Sequence, residues 1–342
     1  MSDLLVELTR REHPVDMATW RSFLDRLRAR RLTRGEAAAV LTSLTTAMPD
    51  DLSLTALFDA LAERRTADDE FPGAVNIVGT GGGPRTFNVS TAAAIVAAAM
   101  GVRVLKTGSR AYTSRVGSFD LLDRLGIGLA DSAEQAADAL DRFGVAFAGY
   151  FVYPPEIAML AREVLPLDVR VVGRFINTVG PFLAQVSVPA QFTGVSRRAD
   201  LTALRALAVR TPRRRTWLCA NEIGADEALS FADNVIHRCD RGDVTEIGPA
   251  TLPLHAGDLR DLAPPADLGA VADHFRGVLA GDAPPAAVQT VCLNAATLAV
   301  LSGAHATWNT AFDAAETAVR DGAATDLLAR LSAGDRTAVA HG

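Results

Sequence analysis

The feature that most constrains this chain is a run of glycines placed directly after a short apolar strand. Residues 75–78 read Val-Asn-Ile-Val, and Gly79-Thr80-Gly81-Gly82-Gly83 follows at once. Pro84-Arg85-Thr86-Phe87-Asn88-Val89-Ser90-Thr91 then leads into an alanine-rich helix running to Met100. Glycines at this density let backbone N–H groups approach an anion without side-chain obstruction. Asn88, Ser90 and Thr91 fall where the helix begins, so their amide and hydroxyl groups stand beside the positive end of its dipole. A strand, a glycine loop and a helix start in this order predict a phosphate or diphosphate site. No Gly-Lys-Ser/Thr follows and the spacing is not GxGxxG, so neither of those nucleotide-binding loops is expected.

The rest of the chain alternates accordingly. Up to residue 70 the pattern is helical. Met17–Leu27 carries Trp20, Phe23, Leu24 and Leu27 on one stripe, Thr33 and Glu36 have capping-box spacing ahead of Ala37–Leu44, and Leu54, Leu57, Phe58 and Leu61 mark a third helix. Strands are then expected at 75–78, 102–105, 145–147, 192–195, 216–220 and 234–239, with helices at 132–143 and 201–208. Arg241-Gly242-Asp243 reads as a hairpin turn before Val244–Ile247. Helices close the chain at 271–279, 286–301 and 308–320. The expected fold is α/β: a small N-terminal α-helical domain over residues 1–70, then a larger α/β domain over 71–340 with a mainly parallel sheet and C-terminal helices.

Further residues carry chemistry. Lys106 is the single lysine among 34 basic residues. It heads Lys106-Thr107-Gly108-Ser109-Arg110-Ala111-Tyr112-Thr113-Ser114-Arg115-Val116-Gly117-Ser118 at a strand end, the edge where open α/β sheets bind ligands. A chain that uses arginine for its other cations keeps lysine where a compact point charge with rotatable donors is needed. Ser118 is placed to cap a helix from Phe119. Asp226 and Glu227, in Gly224-Ala225-Asp226-Glu227, are adjacent carboxylates suited to Mg²⁺ and its waters beside phosphates.

Composition removes other classes. A net charge of −6 and 6% aromatic residues argue against nucleic-acid coating and base stacking, and the cluster Arg210, Arg213, Arg214 and Arg215 reads as a solvated loop before a strand. Three separated cysteines and six histidines without HxxxH or HExxH spacing give neither a disulfide framework nor a zinc site. Residues 1–12 lack the apolar core of a signal peptide, and the run Ala92–Val102 is too short to span a bilayer. A soluble, cytoplasmic protein without membrane or nucleic-acid partners is expected.

Taken in order, GTGG…TFNVST, KTGSR…TSRVGSFD, GADE and Leu293-Asn294-Ala295-Ala296 resemble the anthranilate phosphoribosyltransferase family, and the likeness runs over nearly the whole chain. The resemblance implies a helical domain that forms a homodimer, an α/β domain, and Mg²⁺-dependent transfer of phosphoribosyl from 5-phosphoribosyl diphosphate to a small-molecule acceptor. It implies that Gly79, Thr80, Gly81 and Gly82 cradle the diphosphate, and that Asn88, Ser90 and Thr91 bind phosphate. It further implies diphosphate contact by Lys106, phosphate contact by Ser114 and Ser118, and metal binding by Ser90, Asp226 and Glu227. On that reading Lys106, Asp226 and Glu227 are the catalytic set.

The chain departs from the family in three places. Gly83 stands where the glycine loop usually continues with Asp. The family's Lys-His-Gly-Asn-Arg is here Lys106-Thr107-Gly108-Ser109-Arg110. The segment whose arginine holds the anthranilate carboxylate is Gly173-Arg174-Phe175-Ile176-Asn177-Thr178-Val179-Gly180-Pro181, with its arginine displaced by one position. Thr107, Ser109, Tyr112, Arg170 and Arg174 are therefore the acceptor-site candidates, and another aromatic or heteroaromatic acceptor is the expectation. The alternatives are anthranilate itself in tryptophan synthesis, a nucleoside phosphorylase, or a non-catalytic nucleotide- or nucleic-acid-binding relative.

Overall fold

The computed structural model describes residues 3–65, 69–108, 117–164, 167, 172–211 and 213–334. In chain order come helices α1 (Asp3–Arg10), α2 (Met17–Arg28), α3 (Glu36–Thr46) and α4 (Asp51–Ala62). Then follow β1 (Val75–Gly79), α5 (Val89–Ala99), β2 (Val104–Lys106), α6 (Ser118–Leu125), α7 (Ala133–Phe143) and β3 (Val145–Phe147). Next are α8 (Pro155–Glu163), α9 (Arg174–Leu183), β4 (Ala190–Gly194), α10 (Leu201–Val209), β5 (Arg215–Asn221), β6 (Asn234–Arg238) and β7 (Asp243–Ile247). The chain closes with α11 (Val271–Ala280), α12 (Pro285–Ser302), α13 (Trp308–Arg320) and α14 (Ala323–Gly334).

These elements form two compact units. The helical unit comprises Met1–Asp68, Val152–Val186 and Asp200–Thr211, so the boundary expected near residue 70 closes only its first segment. The two later segments join it because Leu160, Val164, Phe175, Val179, Leu183, Ala203 and Leu207 share one apolar core with Trp20, Phe23, Leu41 and Leu54. Polar ties fix the packing: Trp20 Nε1 donates to Ser53 O at 3.0 Å, and Val15 N donates to Ser53 Oγ at 2.8 Å. Only half of the expected capping box forms at α3. The Glu36 carboxylate accepts from Thr33 N at 3.0 Å, but the Thr33 hydroxyl donates to that same carboxylate, and Gly35 occupies the cap position. Arg26 supplies the reason, because its guanidinium grips both Glu36 oxygens and holds the side chain back toward Thr33.

The second unit is built on a seven-stranded sheet of order β3-β2-β1-β4-β5-β6-β7. Strands β3 to β5 are mutually parallel, whereas β6 and β7 pair antiparallel, with Arg238 opposite Asp243 across the expected hairpin. The chain steps from β1 toward β2 and β3, then returns to the other side of β1 as β4. That reversal opens a crevice at the carboxyl ends of β1 and β4. On one face of the sheet, Val75, Ile77, Phe192, Trp217 and Cys219 pack with α5 and α11–α14 in a single core. Helix α12 is long and apolar enough to cross a membrane, yet 78% of that stretch is buried inside the fold, as suits the central helix of a packed core.

The arginines gathered ahead of β5 are largely committed. Arg210 pairs with Asp59 within the helical unit, Arg214 Nη1 donates to Gln191 Oε1 at 3.0 Å, and Arg215 Nη2 donates to Ser302 O at 3.3 Å. Past β5, Asn234 holds the chain together from a fully buried position. Its amide nitrogen donates to Leu229 O, Ala232 O and Ile247 O, and its oxygen accepts from Leu229 N at 2.8 Å. Asn234→Ala would strand these groups away from water, so a loss of about 3 kcal/mol or more is expected, read as a lower thermal midpoint.

Candidate active site

The site lies within the α/β unit, at the crevice marked by the ends of β1 and β4. Asp226 is seated there because two glycines admit it. A Cβ on Gly79, which ends β1, would fall 2.2 Å from Asp226 Oδ2. A Cβ on Gly194, which ends β4, would fall 1.7 Å from the Asp226 carbonyl oxygen. Gly81 N–H donates to Asp226 Oδ2 at 2.7 Å, so the glycine loop and the acidic loop form one structure. Glu227 is buried beside it, with Oε1 accepting from the Thr86 hydroxyl at 2.6 Å and Oε2 without a partner among the described residues.

Three asparagines fix the acidic loop. Asn221 Oδ1 accepts from Gly224 N at 2.9 Å and Ala225 N at 3.1 Å, while its amide donates to Glu227 O at 2.9 Å. Asn294, buried on α12, accepts from Ala228 N at 3.2 Å and donates to Ala228 O at 2.8 Å. Asn234 secures the residues that follow. A loop whose backbone groups are satisfied in this way holds its carboxylates in place even though they repel each other.

Burial drives the electrostatics. It raises the Asp226 carboxyl above its ordinary range, against the Gly81 hydrogen bond and the Lys106 charge. It lifts Glu227 to about 8, with the neighbouring Asp226 charge adding to the shift. It lowers Lys106 to about 8, opposed by Asp226. Two carboxylates and one ammonium crowded in this way are short of positive charge. Glu227 Oε2 lacks a partner among the described residues, so the pair has the donor set of a hard divalent cation completed by water and phosphate oxygens. Among the described residues no three His, Cys, Asp or Glu groups cluster to hold a metal by themselves.

The glycine loop divides its donors. Thr80 N donates to Gly194 O at 3.0 Å, the Thr80 hydroxyl accepts from Ser196 N at 3.0 Å, and Gly81 N is spent on Asp226. Gly82 N–H and Gly83 N–H have no protein partner among the described residues. Thr80 and Gly81, expected to meet the diphosphate, have these groups committed within the fold. Gly81 and Gly82 both take the left-handed backbone, with φ of 67° and 82°. Gly83 lies against the acidic loop: a Cβ there would meet Gly224 O at 3.0 Å and Asp226 Oδ1 at 3.1 Å. A carboxylate on that backbone would crowd Asp226, which accounts for glycine at this position. Asn88 caps α5 by position but makes no capping bond, Ser90 is half-buried, and neither side chain has a hydrogen-bond partner among the described residues. Thr91 is fully buried, its hydroxyl unpartnered among the described residues.

Lys106 is buried at the end of β2, and its ammonium donates to Thr107 O at 3.1 Å. Thr107 is not turned toward an acceptor pocket. It is fully buried, with its N–H at 3.0 Å and its hydroxyl at 3.2 Å from Asn76 Oδ1. Ser118 is the first residue of α6 rather than its cap. Gly117 takes the cap position, donating its N–H to Asp120 Oδ2 at 2.9 Å, because the Ser118 hydroxyl is packed against Gly108. Arg174 belongs to the helical unit, where its guanidinium donates to Thr45 O at 2.7 Å. Ser109, Tyr112, Ser114 and Arg170 lie outside the described residues.

Comparison with known proteins fits this geometry. A family model described as the glycosyl transferase family, a/b domain, matches residues 72–325, which makes the chain a glycosyl transferase by fold and site. Anthranilate phosphoribosyltransferase 2 of Streptomyces coelicolor is 37% identical over 74% of this chain and 75% of its own length. Anthranilate phosphoribosyltransferase of Methylorubrum extorquens is 33% identical over 94% of both chains. The crystal structure of the anthranilate phosphoribosyltransferase of Thermus thermophilus superposes with a TM-score of 0.79 at 26% identity, covering 98% of this chain and 99% of that one. The chain belongs to the anthranilate phosphoribosyltransferase family and is a phosphoribosyltransferase.

The two glycine contacts make different demands. Gly194→Ala meets a backbone carbonyl and should cost about 2 kcal/mol or more in stability. Gly79→Ala meets a carboxylate that Gly81 N–H holds in place, with Asp226 Cγ at 3.0 Å and its carbonyl oxygen at 3.2 Å also in the way, so it too should lower the melting temperature, by less than Gly194→Ala. Thermal denaturation of the two variants side by side checks this.

Proposed function

We propose that this enzyme transfers phosphoribosyl from 5-phosphoribosyl diphosphate to the amine of anthranilate, with Mg²⁺ as its metal. The observation that carries the reading is the Asp226–Glu227 pair locked to the glycine loop through Gly81 N–H, with Glu227 Oε2 uncommitted. The relatives named above support anthranilate as the acceptor better than a different aromatic. A structure of the yeast anthranilate phosphoribosyltransferase, of like fold with a TM-score of 0.68, is a complex with the same donor and Mg.

On this reading Ser90, Asp226 and Glu227 hold the metal. What Mg²⁺ supplies when bound is neutralisation of the charge that gathers on diphosphate as the sugar C1–O bond lengthens. Gly82 N–H, Gly83 N–H and the start of α5 bind the diphosphate oxygens, and Lys106 adds a cation at the neighbouring strand end. The transition state is oxocarbenium-like, so positioning and charge stabilisation carry the rate. The aromatic amine is already a nucleophile, and its proton can leave to water or to diphosphate. The enzyme works in the cytoplasm on this reading. Leu52 and Val209, each 65% exposed on the helical unit, support a homodimer formed through those helices.

Incubation with 5-phosphoribosyl diphosphate, Mg²⁺ and anthranilate should release diphosphate and give the phosphoribosylated amine by mass. Failure with anthranilate but turnover of another aromatic amine would return the acceptor to the divergent reading. Asp226→Asn combined with Glu227→Gln is expected to lower kcat/KM by at least about a thousandfold at unchanged folding. Lys106→Arg should weaken donor affinity by about tenfold, because a wide planar fork replaces a compact charge in a buried seat. Near-normal affinity in that variant would show that the lone lysine has no special part.

A further inference from the structure

The donor-facing side of the glycine loop is short of donors, and one side chain outside every motif stands over it. Thr80 N–H and Gly81 N–H are spent inside the fold, leaving Gly82 and Gly83. Lys106 is buried and donates to Thr107 O, while Arg197 is fastened to the Glu222 carbonyl. Arg198 differs from both. It is exposed and forms no ion pair or hydrogen bond among the described residues. Its Cδ and Cβ lie 3.8 and 4.0 Å from where a Cβ on Gly82 would sit.

The base of this side chain is held to the loop. Ser196 N donates to Thr80 Oγ1 at 3.0 Å, Ser196 Oγ donates to Gly81 O at 2.7 Å, and Ala199 N closes the turn on Ser196 O at 2.9 Å. Arg198 thus leaves a turn anchored on both sides, directly beside Gly82. Arg85 is also exposed and has no partner among the described residues, and no contact among them sets it over the loop.

We propose that Arg198 is a donor-binding residue whose guanidinium takes oxygens of the diphosphate group above Gly82, a role that rests on the reading of this site as a 5-phosphoribosyl diphosphate site. A planar fork matches two phosphate oxygens at once and remains charged at any working pH. Its backbone anchoring lowers the entropy lost when the fork closes on the ligand. Arg198 thereby supplies at the loop rim the positive charge that the loop's spent N–H groups do not.

Calorimetry with 5-phosphoribosyl diphosphate, and separately with inorganic diphosphate, in Mg²⁺ tests this on the full-length protein. The parent, Arg198→Ala, Arg198→Lys and, as a control for the loss of one surface charge, Arg320→Ala are compared. Arg198→Ala should bind both ligands about 10- to 100-fold more weakly, Arg198→Lys should fall between, and Arg320→Ala should match the parent. The anthranilate KM should not move. Equal binding by the parent and Arg198→Ala would overturn the proposal and leave the donor-site reading standing. A rise confined to the anthranilate KM would also overturn it, by giving the guanidinium to the acceptor's carboxylate. A parent that binds neither ligand would remove the donor-site reading and this role together. Should Arg198→Ala fail to fold, the Lys variant carries the same comparison.

Discussion

The contact on which the site depends is the seat of Asp226 between the ends of β1 and β4. Two neighbouring parallel strands each end in glycine, and the acidic loop occupies the space where two side chains would have been. Its backbone lies against Gly194, its carboxylate against Gly79, and the next turn of the glycine loop returns an N–H to that carboxylate. Phosphate-binding loop and acidic pair thereby become one object, whose parts cannot shift independently. The cost is a buried pair of like charges. It is tolerated because Asn221, Asn234 and Asn294 satisfy the loop's backbone, leaving the carboxylates as its unsatisfied part.

A second constraint runs beneath the first. On the sheet face away from the main core, fully buried Asn76, Gln191 and Thr193 stand in place of apolar residues. Asn76 donates toward both Thr107 and Gln191, Gln191 donates to Thr193, and Arg214 donates to Gln191. Thr107 is a member of this ladder, and its carbonyl is also the acceptor for Lys106. The residue that departs from the family pattern beside the lysine is therefore held by the sheet, and the lysine is held by that residue.

Much of this was legible in the residues. The strands announced themselves because short β-branched runs bounded by glycine have few other fates, and the glycine loop because four such residues are costly to order without a purpose. The Asp226–Glu227 pair was legible from its spacing. The partition of the helices was not: α8 and α9 were not expected as helices at all, and the stripe of α10 shows that a face is buried but not against what. Thr107 misled for a related reason: at a strand end, the choice between facing a ligand and facing the sheet is made by a partner such as Asn76, distant in sequence. Asn221 and Arg198 passed unnoticed because a scaffold amide and a free guanidinium look like ordinary surface residues until their neighbours are known. The half-formed box at Thr33 turned on Arg26, ten residues away from the carboxylate it holds.

The helical unit is drawn from three stretches of chain separated by parts of the other unit. During synthesis, α1 to α4 therefore emerge with an incomplete core, exposing the surfaces of Trp20, Leu41 and Leu54 that Phe175, Val179 and Leu207 later share. They cannot close that core until the chain has grown through β1 to β4 and reached α10. Neither unit can be cut out as one continuous fragment, so the helices and the sheet must mature on the same schedule. A proteolytic nick in the second stretch of the helical unit, Val152–Val186, would therefore also break the covalent path that joins β3 to β4 of the sheet.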